Sequence, residues 1–221
     1  TGLKVAVIGT GASSIQIVPN IQNKVSKLYL FQRTPAWILP RMQRKIGRIE
    51  RKLYTNFPFL LKAKREVLFW LYEGIGIWVI NNRFLHKILT GISKASLKAV
   101  VKDKDLRKKL TPDYRLGCKR ILISDDFFQA VNQPNVHLVT APVSQISANS
   151  IHTKLNDYPV DAIIYATGFT VADIEKYIDI KGLNGISLND RWEANGAEAF
   201  LGTNISGFPN LCYLLGPNSG L

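Results

Sequence analysis

Three small residues near the start of the chain have the spacing that a phosphate-binding turn requires. Gly9, Gly11 and Ser14 form the pattern G-x-G-x-x-S, in which Gly9 permits a tight turn and Gly11 lets a pyrophosphate approach the backbone. A helix that begins directly after the turn offers free N–H groups and a partial positive charge to the phosphates. Ser14 stands where glycine or alanine is usual, so helix and strand pack less closely than with glycine. The spacing predicts a dinucleotide-binding turn.

Arg33 and Thr34 are the second candidate contact with a nucleotide, because they follow the next predicted strand. A site for NAD places a carboxylate at this position, where it binds the ribose 2′-hydroxyl. An arginine and a hydroxyl suit a 2′-phosphate instead, since a guanidinium pairs with two phosphate oxygens at once. We therefore predict NADPH rather than NADH. The competing interpretation is a structural glycine turn that binds nothing.

The elements that must position these residues are short, apolar and in the expected order. Lys4–Ile8 and Val25–Gln32 read as strands on either side of the turn and its helix, and Val160–Tyr165 reads as a buried return strand. Thr167 and Gly168 follow that return strand, and residues this small allow a bound nucleotide to lie against the backbone. Taken alone, the same two residues favour a tight turn over a binding site.

A basic helical segment interrupts this α/β pattern. Arg41 to Pro112 carries 18 Lys and Arg against 5 Asp and Glu, so it accounts for the whole formal charge of +13. Met42 to Leu110 reads as three or four helices, with amphipathic spacing after Ser93. Three interpretations compete. The first is a helical cap with a solvated basic face, and the second is a membrane-surface element using Phe69, Trp70, Ile77 and Trp78. Nucleic-acid binding comes last, since no known motif accompanies the charge.

The remaining segments predict ordinary loops, strands and one short helix. Pro35 to Arg41 reads as a connector, and Asp113 to Arg120 as a return to the sheet with a turn at Gly117. Ser124 to Asp126 offers an N-cap for a helix through Phe127 and Val131. Asn135 to Val139 reads as a strand. Two segments are predicted as a hairpin or meander, namely Val143 to Ile146 and Ser150 to Lys154.

Cysteine and histidine usage indicates neither a disulfide framework nor a metal site. Cys118 and Cys212 lie far apart, and His86, His137 and His152 lack ligand spacing within the 221 residues. A reducing cytoplasm fits this usage, and no signal peptide is recognised. The first strand starts almost at residue 1 and the last residues resemble an interrupted loop. We therefore expect a piece of a longer protein.

Five motifs in a fixed order resemble those of one protein family. They are G-T-G-A-S-S-I-Q, F-Q-R-T-P, G-C-K-R, D-A-I-I-Y-A-T-G-F, and G-F-P-N-L followed by G-P-N-S-G. Together they extend over the whole chain and resemble the NADPH-binding half of the flavin-dependent Baeyer–Villiger monooxygenases. That family belongs to a wider group of flavoproteins with two dinucleotide sites, which includes N- and S-oxygenating monooxygenases.

The resemblance implies a mechanism and a role for individual residues. NADPH reduces FAD, O2 adds to the reduced flavin, and the resulting peroxyflavin attacks a ketone to give an ester or lactone. Arg120 would be the catalytic arginine, stabilising the negative peroxyflavin and helping to seat the nicotinamide. Arg33, Thr34 and Lys119 would bind the 2′-phosphate. The NADP pyrophosphate would be held by the turn residues, namely Gly9, Thr10, Gly11, Ala12, Ser13 and Ser14.

The resemblance also implies a division of the chain. Residues 1–40 and 115–169 would form the NADPH-binding Rossmann-like domain with a parallel sheet, residues 41–114 an all-helical insertion, and residues 170–221 a C-terminal piece of a flavin domain. The family's FAD fingerprint and its signature of Phe, Gly, His and Trp are absent from these residues. The FAD site would therefore lie mostly outside them, and they should not turn over alone.

Two other functions remain open at this stage. Within enzymes, the alternative is an N- or S-oxygenating flavin monooxygenase. A simple NADPH dehydrogenase is disfavoured, because the sequence shows no His/Asp or Tyr/Lys catalytic set. From a different class, the chain could be a non-catalytic basic module that binds NADP or a membrane surface. The predicted partners are a small apolar ketone and O2, without nucleic acid, and with weak membrane-surface association through the insertion.

Overall fold

The computed structural model describes residues 2–41, 44–81, 83–169, 178–217 and 219. By contact the chain divides into two compact units, Thr1–Gly168 and Phe169–Leu221. The candidate binding residues all lie in the first unit.

The first unit is built on a four-stranded sheet in which every neighbouring pair is parallel. Its strands, in chain order, are β1 (Lys4–Ile8), β2 (Lys27–Phe31), β5 (Val136–Val139) and β9 (Ala162–Tyr165). Their spatial order is β5-β2-β1-β9, with Val7 opposite both Leu30 and Ile164. The first connection from β1 leads to β2 on one side, whereas β9 joins β1 on the other. This reversal creates a crevice at the carboxyl ends of β1 and β9, where open α/β sheets bind ligands.

Each strand of this sheet contributes to two cores because alternate side chains point to opposite faces. Val5 and Val7 pack on one face with helices α1 (Ser14–Ile21) and α6 (Phe127–Val131). Ala6 packs on the other face, against a three-stranded antiparallel sheet. That second sheet consists of β6 (Val143–Ile146), β7 (Ser150–Thr153) and β8 (Asp157–Pro159). The predicted α/β class and parallel sheet are confirmed, and the predicted meander is this sheet.

Four helices form the insertion, in agreement with the helical pattern of the sequence. They are α2 (Arg48–Asn56), α3 (Pro58–Asn81), α4 (Arg83–Val100) and α5 (Lys104–Leu110). Asp103 is the N-cap of α5, and its carboxylate accepts hydrogen bonds from the N–H groups of Asp105 and Leu106. Leu97, Val101 and Leu110 are buried in the core beside the main sheet. The ends of α4 and α5 are thus part of the fold.

The first helices of the insertion lie at the surface. Buried residues are absent from α2, and the side chains described for α3 are exposed or half-buried. Within the described residues, no helix combines the length and apolar character needed to cross a bilayer. The side chains of Ile77 and Trp78, predicted above to meet a membrane, lie outside the part of the chain that the structure describes.

Two sequence predictions about the loops were wrong. Pro35 to Arg41 is more than a connector, because Ile38–Leu39 forms strand β3. Strand β4 (Leu122–Ile123) pairs with β3 in a separate two-stranded parallel sheet, so the chain after Arg120 does not return to the main sheet. The N-cap of α6 is Asp126, which lies within the predicted segment but makes no capping hydrogen bond with its side chain. The Ser124 hydroxyl instead accepts a hydrogen bond from the Phe127 N–H at 3.2 Å.

The second unit has its own small core. Ser187 is the N-cap of helix α7 (Leu188–Asn195), and its hydroxyl accepts a hydrogen bond from the Asp190 N–H. Leu188 and Trp192 from this helix pack on Ile205 and Phe208. Residues 170–177 of the predicted flavin-domain segment lie outside the described residues.

Candidate dinucleotide-binding site

The turn after β1 takes a conformation that only glycine adopts easily. Gly9 has φ +111°, and its N–H donates to the Phe31 carbonyl at 2.9 Å. A Cβ at this position would overlap the backbone carbonyl of Ala166, which follows β9. Gly9 is therefore required twice, by its dihedral angle and by the close approach of the neighbouring strand. The predicted tight turn is present.

Ser14 holds the two ends of the turn together through a buried hydrogen bond. Its side chain is fully buried, and its hydroxyl donates to the Gly9 carbonyl at 2.6 Å. The bond fixes the distance between the start of α1 and the end of β1. The hydroxyl of Ser14 thus positions the turn, and it faces the protein rather than the crevice.

Thr10 connects the turn to the end of β2. It is buried, and its hydroxyl donates to the Thr34 carbonyl at 3.1 Å. The bond brings the pyrophosphate-binding candidate and the 2′-phosphate-binding candidate into one structural unit. From the sequence alone, Thr10 was predicted only through the family resemblance, and this positioning bond was missed.

The rest of the turn is open. Gly11, Ala12 and Ser13 are exposed, and a Cβ added to Gly11 would meet no atom within 4 Å. Among the described residues, no acceptor for the N–H groups of these three residues is found. Backbone donors that point to solvent at the start of a helix form an anion-binding arrangement. The turn therefore has both the space and the donors that a pyrophosphate requires.

The end of β9 lies beside this turn. The Ala166 N–H donates to the Ile8 carbonyl at 2.9 Å, which places Ala166 against the start of the turn. Thr167 and Gly168 follow and are exposed, and Gly168 has φ +89°. The crevice between β1 and β9 is consequently lined by backbone on both sides.

Directly after β2, a buried glutamine is followed by an exposed arginine. The Gln32 side chain is buried and donates to the Lys109 carbonyl at 2.7 Å, which fixes the end of α5 to the edge of the sheet. Arg33 is exposed, and no acidic partner for it is present among the described residues. Because no acidic group of the described residues engages its guanidinium, it is available to an anionic ligand.

Tyr114 brings the loop containing Lys119 to the same place. Its hydroxyl donates to the Pro35 carbonyl at 3.1 Å, and its own carbonyl accepts from the Trp37 indole N–H at 2.8 Å. Burial raises the pKa of Tyr114. The Lys119 ammonium lies 4.7 Å from the centre of the Tyr114 ring. Lys119 is therefore held near Pro35, one residue beyond Thr34.

The structure thus assembles most of the predicted residues through contacts that the sequence did not reveal. Arg120 is adjacent to Lys119 and exposed, and no ion-pair partner for it is found in the described part of the chain. Tyr114 and Gln32 were missed because each acts through a backbone carbonyl 77 or more residues away. No short motif marks such a pair. The described residues also contain no group of three or more potential metal ligands.

A parallel sheet with an open glycine turn at its reversal point defines a dinucleotide-binding domain of the Rossmann type. Comparison with known proteins narrows the class. The chain is 42% identical over its full length to proteins named Baeyer–Villiger monooxygenase from Pseudomonas aeruginosa and Streptomyces coelicolor. It spans 42% of the length of each. No family model matches the chain.

Solved structures agree with this result. A crystal structure of OTEMO in complex with FAD and NADP shares 31% identity and a TM-score of 0.78 over 98% of the chain, which corresponds to 47% of OTEMO. Cyclohexanone monooxygenase, at 22% identity and a TM-score of 0.79, shares the fold. Over its whole length the chain is therefore similar to one part of the Baeyer–Villiger monooxygenases, a part that makes up rather less than half of such a protein.

Proposed function

We propose that the chain is the NADPH-binding portion of a flavin-dependent monooxygenase that inserts one oxygen atom from O2 into a ketone. One observation carries the proposal most directly. The open N–H groups of Gly11, Ala12 and Ser13 lie at the reversal point of the sheet, and Thr10 connects them to the end of β2 beside Arg33. This arrangement supplies a diphosphate site and a cation at one edge of the sheet.

In this proposal each residue has a distinct task. The turn from Gly9 to Ser13 binds the pyrophosphate, while Ser14 positions the turn from beneath. Arg33, Thr34 and Lys119 bind the 2′-phosphate that distinguishes NADPH from NADH. Thr167 and Gly168 form the opposite wall of the crevice. The proposed domain boundaries follow from these tasks, with residues 1–40 and 115–169 binding NADPH around the helical insertion of residues 41–114.

FAD would be held by other parts of the protein together with residues 170–221, and when bound the two cofactors supply the hydride and the oxygen chemistry. Arg120 is proposed as the catalytic residue. A guanidinium keeps its proton at any working pH, so it stabilises a developing negative charge without protonating it. Arg120 is exposed and no ion-pair partner for it is found among the described residues, which supports that role.

Calorimetric titration of the chain with NADPH and with NADH tests the nucleotide half of the proposal. We expect NADPH to bind more tightly, and Arg33→Ala to remove most of the difference, because a charged hydrogen bond contributes about 1.5–3 kcal/mol, or roughly 10- to 100-fold. Arg51→Ala is the matched control, since Arg51 is an exposed arginine on α2. Equal affinities for the two cofactors would contradict the assignment of Arg33.

The oxygenation half is tested with the complete FAD-loaded protein. Arg120→Ala should reduce flavin with NADPH at a normal rate but lose ketone oxidation. Undiminished ester formation in that variant would exclude the catalytic role. Assays with a thioether and an amine beside a ketone distinguish the alternative, heteroatom oxygenation. A cytoplasmic location and weak association with membrane surfaces remain predictions, which cell fractionation addresses.

A further inference from the structure

The most unusual surface of the molecule lies on α3, far along the sequence from the glycine turn. Six consecutive apolar or aromatic residues, Val67 to Tyr72, are each between 40% and 69% exposed. Because a helix makes a turn every 3.6 residues or so, six consecutive side chains point in every direction around its axis. The exposed apolar surface therefore surrounds α3, instead of forming a stripe along one side.

A surface of this kind distinguishes between possible partners. A helix that docks into a protein groove needs one apolar stripe, whereas a helix that is apolar all round is suited to a protein interior or to lipid. The sequence continues this character, since Glu73 is the single charged residue from Val67 to Ile80. We refer to Val67–Tyr72 as the apolar collar of α3.

Positive charge lies directly beside the apolar collar. Between residues 44 and 74 the sequence contains eight Lys or Arg and three Glu. One of the three, Glu50, is already engaged by Arg44 at 2.7 Å and Lys64 at 2.8 Å. Lys62 and Arg65 are exposed, and neither has an acidic partner among the described residues. The surface that carries the collar is therefore distinctly cationic.

The order of these groups along α3 matters. Arg65 precedes Trp70 by five residues, which is about 7.5 Å along a helix axis. With the axis of α3 inclined to the bilayer plane, this separation lies within the depth of about 5–10 Å to which interfacial helices are buried, so that the cation meets the headgroups and the aromatic ring the upper acyl region. Long basic side chains can also extend along the helix towards the headgroups.

We propose that the α2–α3 part of the insertion is a docking surface for an anionic lipid membrane. The apolar collar enters the interface while Lys62 and Arg65 contact anionic headgroups. A second copy of the chain is a poorer partner, because it would bring two cationic surfaces together. The proposal does not depend on the nucleotide site, and the helices of the described residues remain too short or too polar to cross the bilayer.

Co-sedimentation of the complete protein with vesicles tests this proposal, and no binding to either vesicle type would overturn it by showing that the rest of the protein covers the apolar collar. We expect binding to vesicles of phosphatidylcholine with phosphatidylserine, weaker binding to phosphatidylcholine alone, and loss of the difference at high salt. Replacing both Phe69 and Trp70 by Ser should lower partition onto anionic vesicles by about 10-fold or more. The matched control is Leu155→Ser, because Leu155 is 79% exposed but lies outside the insertion.

A charge reversal completes the test. Changing Lys62 and Arg65 to Glu should abolish the preference for anionic vesicles, whereas Lys154→Glu, at an exposed site outside the insertion, should preserve it. Sedimentation velocity without lipid identifies self-association. The proposal is overturned by equal binding to both vesicle types, by unchanged binding of the double Ser variant, or by a dimer that this variant dissociates.

Discussion

The glycine turn and the helical insertion place their polar groups in opposite ways. In the turn, the hydroxyls of Thr10 and Ser14 are buried and donate to backbone carbonyls, so that the backbone N–H groups remain free for a ligand. In the insertion, the charged and aromatic side chains themselves face outwards. In our proposals the first region binds its ligand through a fixed backbone, and the second binds its partner through exposed side chains. Substitutions should therefore have large structural effects in the turn and mainly effects on binding in the insertion.

The largest expected effect comes from Gly9. Gly9→Ala forces a positive φ on alanine and pushes its Cβ into the Ala166 carbonyl, with an expected loss of roughly 2–5 kcal/mol of folding free energy. Gly11→Ala points into open space, so thermal unfolding should change little while NADPH affinity falls. Equal loss of stability in the two variants would show that the turn has no free face.

Ser14→Ala should have the next largest effect. The change removes the donor that the buried Ser14 hydroxyl supplies to the half-buried Gly9 carbonyl, and an acceptor left unpaired in a buried setting costs about 1–3 kcal/mol. Denaturant unfolding measures the loss, with Ser13→Ala as control because Ser13 is exposed. Unchanged stability of Ser14→Ala would refute a positioning role for the hydroxyl.

The sequence reveals the first of these two regions better than the second. The tight turn at Gly9 and the strand before it are local signals, and so is the start of α6 after Ser124, so these were predicted correctly from short patterns. Strands β3 and β4 have two residues each and form only by pairing with each other, some 80 residues apart. Pairing at that distance leaves no periodic pattern, which explains why Ile38–Leu39 was predicted as a connector.

The placement of Lys119 was hidden for the same reason. It depends on a tyrosine hydroxyl and a carbonyl that are 79 residues apart in the chain, whereas the sequence shows only a pair of neighbouring basic residues. Sequence reasoning alone treats such a pair as solvated surface. Contact with Tyr114 gives Lys119 a fixed position beside the end of β2.

Tyr114→Phe should have a smaller effect, on the loop that carries Lys119. The variant keeps the ring beneath Lys119 but loses the hydrogen bond to the Pro35 carbonyl, worth about 1 kcal/mol. We expect NADPH affinity to fall several-fold, with a small drop in melting temperature. Tyr72→Phe, at an exposed tyrosine on α3, is the control. Full NADPH affinity in Tyr114→Phe would mean that the loop is positioned by other contacts.

The smallest effect is a pH dependence confined to the insertion. Hydrogen bonds from Arg44, Lys64 and Tyr54, in decreasing order of effect, lower the pKa of Glu50 from its ordinary 4.5 to about 2. Since the folded pKa is the lower one, the ionised carboxylate stabilises the α2–α3 pair fully above pH 4.5 or so. That contribution should disappear as the pH falls towards about 2.

An NMR titration of the Glu50 carboxyl carbon measures this directly. The midpoint should lie well below 4.5 in the unmodified chain and rise in Lys64→Met, which removes one of the donors. Lys62→Met is the matched control, because Lys62 lies two residues away and has no ion-pair partner among the described residues. A midpoint near 4.5 in the unmodified chain would show that the bonds between α2 and α3 exchange freely with water. In that case the apolar collar would be carried by a helix that α2 does not hold in place. If the midpoint is low, hydrogen bonds to Glu50 hold α3 against α2 at neutral pH, just as the hydroxyls of Thr10 and Ser14 hold the glycine turn in place.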